Sequence, residues 1–287
     1  MYKKIALVFF CFFNLSLAAA EDTSYWKAHL VSSYVHHSEL QRRWAWAFLA
    51  PHLQQLKGDE HILDIGCGDG KITADISRFV RKGTVIGIDP SQAMLDWAKK
   101  QYCLLEYPNL TFREGGFLAP NLSGAFDVII SNCALQHCND QLQALENIFG
   151  LLKPEGKLLI SIPAIDNSAW KEAWVNLEIL PKWASYWENA PPAYFISVES
   201  YGELLRNAKF HPLRIEKIQT QDPFVDREEF LTFLLGTMTP AVPLDLARDF
   251  FNELIDEYLR LLPEALRSDG VIEARFGRTV IEAKRLD

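Results

Sequence analysis

The segment HILDIGCGDGKIT, residues 61–73, sets three glycines at alternate positions directly after a short apolar run. HILDIG reads as a buried strand, and KITADISRFV beyond the turn carries Ile72, Ile76, Phe79 and Val80 at helical spacing. TVIGID at 84–89 is the next strand. A strand, glycine turn, helix and strand in that order form a βαβ unit, which commits the chain to an α/β fold with helices covering a parallel sheet. The glycines allow main chain to approach a ligand closely. Asp89, the acid that ends the second strand, lies nineteen residues past Gly70, near the ~20-residue spacing of a ribose-binding acid. The turn is GxGxG and lacks the GxGxxG that sets a pyrophosphate on a helix N-terminus, and Asp69 within it repels a polyphosphate. The predicted ligand is a nucleoside with a neutral or positive tail.

With 287 residues, 49% of them hydrophobic, the chain can bury one large core, and one decorated domain is expected. A formal net charge of −8 without a run of lysines and arginines excludes extended phosphate contact, so no nucleic acid is expected as a partner. The amino terminus differs from the rest: Lys3 and Lys4, then IALVFFCFFNLSL without a charge, then AAAED. This reads as a secretory signal peptide over 1–20, with Ala18 and Ala20 as the small residues before a cut ahead of Glu21. The apolar stretch is short for a membrane span, so the expected product is exported and carries no stable span after cleavage; retention in the cytoplasm is the alternative. Cys67, Cys103, Cys133 and Cys138 fit neither zinc nor disulfide spacing and read as core thiols, and no metal site is expected.

LDIGCGDG and VIGIDPSQAML resemble the first two motifs of class I S-adenosylmethionine-dependent methyltransferases. FDVIISNCALQH and LLKPEGKLLISI follow in order and resemble the family's fourth and fifth strand motifs. YVHHSELQRR (34–43) is similar to the amino-terminal helix of the carboxylate O-methylating branch, which includes the trans-aconitate and malonyl-carrier-protein methyltransferases. EEFLTFLLGTMTP, EYLRLLPEAL and DGVIEARFGRTVIEAKR follow the carboxy-terminal layout of the trans-aconitate enzyme. The resemblance implies a Rossmann-like, seven-stranded, mostly parallel sheet with PLRIEKIQT and RTVIEAKRL as an antiparallel edge pair. Residues 21–287 are then a single monomeric domain, its sheet core about 58–163, 194–222 and 271–287 and its helical cap about 21–57, 164–193 and 223–270.

The resemblance also implies roles. S-adenosyl-L-methionine is the cofactor, with Asp64 and the turn Gly66, Cys67, Gly68 and Gly70 at its methionine part, where a carboxylate meets an ammonium group. Asp89, followed by Pro90, accepts from the ribose hydroxyls, and Met94 lies against the adenine ring. Gly116, beside Phe117 in FREGGF, stands where the family carries an acid for the adenine amino group, and that missing bond costs about 1 kcal/mol. Asn132 ends the fourth strand on the cofactor side, and Glu155 in KPEGK stands where glycine is usual.

Tyr34, Gln41 and His137 are the catalytic candidates, placed around the carboxylate of a small-molecule acid. Such an acceptor, with a pKa of about 4, is already ionised and needs no base. His137 stands where relatives often have tryptophan, and as a base it suits a hydroxyl or amine acceptor instead. A third reading is a retained fold that binds a ligand or partner without catalysis. Trp170, Trp174, Trp183 and Trp187 are either a pocket wall or cap packing, whereas Leu246, Phe250, Leu254 and Tyr258 form a packing stripe. For a tricarboxylate the sequence offers only Arg42, Arg43 and Arg227, with Thr239 where the trans-aconitate enzyme places arginine, so a monocarboxylate with an apolar tail is expected.

Overall fold

The computed structural model describes residues 28–164, 168–187, 194–238 and 242–286, and the expected signal segment and Thr239 lie outside them. Two helices, α1 (Ala28–His37) and α2 (Glu39–Leu53), precede the first βαβ unit: β1 (His61–Ile65), α3 (Lys71–Ser77) and β2 (Thr84–Asp89). Helix α4 (Gln92–Gln101) leads to β3 (Leu110–Glu114), and β4 (Phe126–Asn132), α5 (Gln141–Leu151) and β5 (Leu152–Pro163) complete the parallel part. Then come α6 (Ala169–Glu178), α7 (Pro181–Trp187), α8 (Val198–Asn207), β6 (Phe210–Phe224), α9 (Arg227–Thr237), α10 (Leu244–Leu261) and β7 (Ile272–Arg285).

The strands form one seven-stranded sheet in the order β3-β2-β1-β4-β5-β7-β6. Strands β1 to β5 pair in parallel, and β7 runs antiparallel to both β5 and β6. The edge pair matches the expectation, but both strands run longer, to 15 and 14 residues. Their cap-side ends bury Phe224, Ile272 and Phe276 among the cap helices, so packing there continues the ladder past the apolar core of each segment. The strand order reverses between β1 and β4, which opens a crevice at the carboxyl ends Ile65, Asp89, Asn132 and Pro163.

Alternation along the buried strands divides the core. Val128, Ile130, Leu159 and Val280 pack under Ala45, Phe48 and Leu49 of α2. Ile129, Leu158, Ile160 and Ile281 face the other way, against Leu145 and Ile148 of α5 and Leu205 of α8. Fully burying one such side chain contributes about 1.5–3 kcal/mol, so the two faces together set the register.

A third apolar cluster builds the cap, and it settles the role of the tryptophans. The Trp170 ring stands 5.5 Å from Tyr258 and 5.6 Å from both Phe230 and Phe276, Trp174 is 5.5 Å from Phe250, and Trp183 meets Phe250 edge-on at 5.4 Å. These rings are cap packing. The α10 stripe is observed as expected, with Phe250, Leu254 and Tyr258 fully buried and Leu246 packed at its margin.

Two local expectations need correction. Cys103 lies past the end of α4 and is exposed, so it is not a core thiol, whereas Cys67 and Cys138 are buried and Cys133 is half-buried. Helix α3 stops at Ser77, and Phe79 lies beyond it against Trp46 instead of continuing the helical face. Glu155 adopts φ +66°, the left-handed region that explains why glycine is usual at that turn.

Candidate active site

The three glycines of the quoted turn each adopt positive φ, +77° at Gly66, +53° at Gly68 and +77° at Gly70. Their reasons differ. A Cβ on Gly66 would lie 2.3 Å from the Ala134 Cβ, and one on Gly70 would lie 2.6 Å from the Phe112 ring, whereas one on Gly68 would meet nothing within 4 Å. The turn is packed against protein at its two ends and open in the middle. Its main chain is tied down by Gly66 N–H and Cys67 N–H, which donate to Ile88 O at 2.8 and 3.0 Å.

Asp89 is buried and held on both sides, with Gly68 N–H donating to Oδ2 at 2.9 Å and Ser91 N–H to Oδ1 at 2.8 Å. The carboxylate therefore reaches the open part of the turn in a fixed orientation, as an acceptor of ribose hydroxyls would. Asp64 is buried too, accepts from the Thr73 hydroxyl at 2.7 Å, and has its pKa pushed up to about 7 by burial, with the nearby charge of Asp89 adding to the rise. An ammonium group is the partner such a carboxylate lacks. Ser91 caps α4 by accepting from Met94 N–H at 3.3 Å, and Met94 is buried yet outside the three apolar clusters, as a residue covering a ligand would be. Pro90 is half-buried between them.

Gly116 is buried and its N–H closes a turn onto Ala119 O at 3.0 Å, so the acid expected for the adenine amino group has no counterpart there. The Phe117 ring packs in the sheet core with Leu63 and Ile88.

On the other side of the crevice, Asn132 ends β4 with both atoms of its side-chain amide buried and without a protein partner. Cys133 follows at φ +52°, with its N–H on Ser161 O at 2.7 Å, and this bend brings Ala134 against Gly66. Gln41 shares the sheet-facing side of α2 with Trp44 and Phe48, and its Oε1 is buried without a partner. Tyr34 is held well above its ordinary pKa by burial and by the charges of Asp69, Asp89 and Asp64, so it sits over the acidic turn as a neutral phenol. Tyr34, which feels the charges of the turn, and Asn132, which ends β4, thus lie at the carboxyl ends of the strands. His137 ends a single 3-10 turn, Leu135–His137, exposed on one side and packed against the protein on the other; its Nε2 is 3.2 Å from Gln136 Nε2, and desolvation holds its pKa below the ordinary value.

The helices α1 and α2 are fastened to the glycine turn by contacts absent from the sequence reading. Lys71 Nζ donates to Val35 O at 3.0 Å and to Ser38 Oγ at 2.8 Å, and lies 3.4 Å from the buried Asp69 carboxylate. The cations expected near an acceptor are engaged elsewhere. Arg42 grips Asp75 of α3 with Nε at 2.6 Å and Nη2 at 3.0 Å, Arg227 pairs with Asp256 at 2.6 Å, and Arg43 is exposed. A buried cation that the sequence reading missed, Arg278, lies at the carboxyl end of β5, opposite Pro163. Its signal was present: in ARFGRTVIEA it takes an apolar-face position of a strand, in alternation with Ala274, Phe276 and Val280.

The site fits a nucleoside carrying an ammonium tail: an open left-handed glycine, a fixed ribose-height carboxylate, a buried acid lacking a cation, and an orphaned amide. Among the described residues no group of His, Cys, Asp and Glu is placed to hold a metal, and no helix is long and apolar enough to cross a membrane. Residues 56–209, more than half of the chain, match the family described as Methyltransferase domain. The juvenile hormone acid O-methyltransferase of Bombyx mori is 26% identical over 265 residues, 85% of this chain and 92% of that protein. The trans-aconitate 2-methyltransferase of Deinococcus radiodurans is 39% identical over 103 residues, a span of only 36% of this chain and 38% of that enzyme. The solved structure of Haemonchus contortus phosphoethanolamine N-methyltransferase 2 with S-adenosyl-L-methionine superposes with a TM-score of 0.61 at 16% identity, over 94% of this chain and 61% of that one, and shows the same fold. From the motif order, the sheet and the family match together, the chain belongs to the class I S-adenosylmethionine-dependent methyltransferases.

Proposed function

We propose that the chain methylates a small-molecule carboxylic acid on oxygen, leaving a methyl ester and S-adenosylhomocysteine. The observation that carries this reading is the buried side-chain amide of Asn132, without a protein partner at the carboxyl end of β4 and two residues before the Ala134 that meets the glycine turn, with Gln41 Oε1 of α2 a second buried atom without one. Buried polar groups are normally paired, so a ligand that brings the missing partners is expected there. Two relatives are named for methylation of acids, juvenile hormone acid and trans-aconitate.

S-adenosylmethionine supplies a methyl group on a sulfonium, and transfer to a carboxylate oxygen makes one C–O bond as one C–S bond breaks, with no proton to move. The residues therefore position and exclude water; they need not act as bases. Asp64 and Asp89 hold the donor's two ends, while Tyr34, Gln41 and Asn132 orient the acceptor against it. Fixed proximity of this kind is worth several kcal/mol. His137 is the residue a hydroxyl or amine acceptor would require, and desolvation keeps its ring neutral, so that acceptor class is the second reading. With Arg42 and Arg227 engaged by Asp75 and Asp256, a monocarboxylate fits better than a tricarboxylate, which would need several available cations. Profiling with decanoate, phenylacetate and trans-aconitate, beside decanol and decylamine, tests this. Turnover confined to the monocarboxylates is expected, and a preference for the tricarboxylate, the alcohol or the amine would overturn it.

Asp64 adds a pH dependence whose sign is fixed. Its folded pKa, raised to about 7 by burial, lies above the ordinary ~3.9 of an aspartate, so the unliganded protein loses the stability this group contributes as pH rises through that window. The cofactor's ammonium requires the carboxylate, hence binding must release the proton below pH 7. Affinity for S-adenosylhomocysteine is expected to rise about tenfold from pH 6 to pH 7.5, and D64N is expected to bind weakly with a flat profile. Titrations at several pH values check this, and a wild-type affinity that falls with pH would refute the assignment of Asp64.

A further inference from the structure

Arg278 leads the fully buried side chains by volume, at 1% exposure. It projects from β7 opposite Pro163, two rungs beyond the row in which Asn132 pairs with Ser161 and Ser161 with Val280. Strand alternation puts Arg278 on the same sheet face as Val280, which packs under α2. The guanidinium therefore sits at the carboxyl end of β5, beneath the helix that carries Gln41, and its charge is felt by the Cys133 thiol next to Asn132.

Its bonding is incomplete. Nη1 donates to Trp44 O at 3.0 Å, and the guanidinium carbon lies 5.2 Å from the centre of the Trp44 ring. Nε is buried and has no acceptor. Asp222 contributes only through its field; its Oδ2 is occupied by Trp44 Nε1 at 3.0 Å and by the Thr220 hydroxyl at 2.7 Å. Burying a cation whose donors are not all paired is unfavourable, and an incoming anion offsets that cost. Fastening α2 to β7 needs one donor on the Trp44 carbonyl, and a neutral side chain supplies that. The charge and the Nε edge go beyond what the fastening needs.

We propose that Arg278 is the specificity-determining residue for the acceptor, its guanidinium holding the acceptor's carboxylate through the Nε edge so that anionic acceptors are selected over uncharged ones. This rests on the carboxylate reading of the acceptor. The fork of a guanidinium matches a carboxylate in geometry as well as charge, so lysine is not an equivalent replacement.

The test is binding to the full chain preloaded with S-adenosylhomocysteine, using decanoate against decanamide and phenylacetate against phenylacetamide. The wild type is expected to bind at least one acid about tenfold or more tighter than its amide. In R278Q the acid's affinity falls about 10- to 100-fold, the size of a lost charged hydrogen bond, while affinities for the amide and for S-adenosylhomocysteine change less than about threefold. R278K, which keeps the charge without the fork, falls between the two, and it decides the matter if R278Q does not fold. Equal losses for acid and amide, an R278K ratio equal to the wild type's, or no preference for either acid in the wild type would each overturn the proposal. Ester formation is read separately. An acid that binds through Arg278 but gives no methyl ester removes the carboxylate O-methylation reading alone, and an acid methylated equally well by R278Q removes the Arg278 assignment alone.

Discussion

Replacing Asp89 with alanine is expected to weaken binding of S-adenosylhomocysteine by about 3–4 kcal/mol, roughly a few hundred-fold, because two hydrogen bonds donated by the ribose hydroxyls to a charged acceptor are lost together. The same carboxylate orients the turn, since Gly68 N–H and Ser91 N–H both donate to it. Alanine leaves both donors without an acceptor, so melting temperature must be followed beside affinity. D89N separates the two effects: it keeps an oxygen for one main-chain donor and preserves volume while losing charge, so its fold is held and its affinity still falls at least about tenfold. His137→Ala, outside the glycine turn, is expected to leave affinity within about twofold, a change too small to report a lost hydrogen bond. An Asp89→Ala protein that binds as the wild type does would place the ribose elsewhere.

The turn glycines give the second large effect, and the two variants are expected to fail in opposite ways. Gly66→Ala combines φ +77° with a Cβ 2.3 Å from the Ala134 Cβ. The left-handed conformation alone costs about 1–2 kcal/mol, and the overlap forces a shift of main chain tied to Ile88, so about 3 kcal/mol of stability is expected to go. For a chain of this size that is a fall in melting temperature of roughly 6–12 °C. Gly68→Ala bears the left-handed cost but meets no atom within 4 Å. It is expected to lose only about 1–2 kcal/mol of stability and to lose cofactor affinity disproportionately, because its Cβ enters the open part of the turn. Thermal melts and titrations of the two variants check this. Similar profiles for both would mean that the opening at Gly68 does not face the ligand.

What could be read in the sequence was what local pattern encodes. Alternation in FDVIISN and LLISIP, the glycine turn, and the stripe Phe250, Leu254, Tyr258 each report their own burial, and the order of motifs fixed the parallel sheet with its antiparallel edge pair. Asp64, Asp89 and the glycines are local as well, and the structure places them around one opening. Contacts between distant segments were not legible. Lys71 reaches α1 across 36 residues, and Arg42 meets Asp75 across 33. Arg42 looked available to an anion because nothing near it in sequence revealed its partner. Arg278 is the extreme case, joined to Trp44 across 234 residues. Its isolation in an apolar strand was visible, but its neighbours exist only once β7 inserts between β5 and β6. The tryptophans were ambiguous for a related reason: aromatic density is the same for a pocket wall and for a cap core, and only the facing rings of α9, α10 and β7 decide between them.

The most direct measurement is the fate of the methyl group. The full chain is incubated with S-adenosylmethionine labelled in that methyl and with decanoate or phenylacetate, and the product is then treated with alkali. A methyl ester releases its label as volatile methanol under those conditions, whereas methyl ethers and methylamines retain it. Label that becomes volatile, that depends on the added acid and that is abolished in Asp89→Ala is the predicted result. A protein that binds S-adenosylhomocysteine yet yields no alkali-labile methyl with either acid or with a small-molecule extract, or that yields only alkali-stable product, would contradict carboxylate methylation at this site.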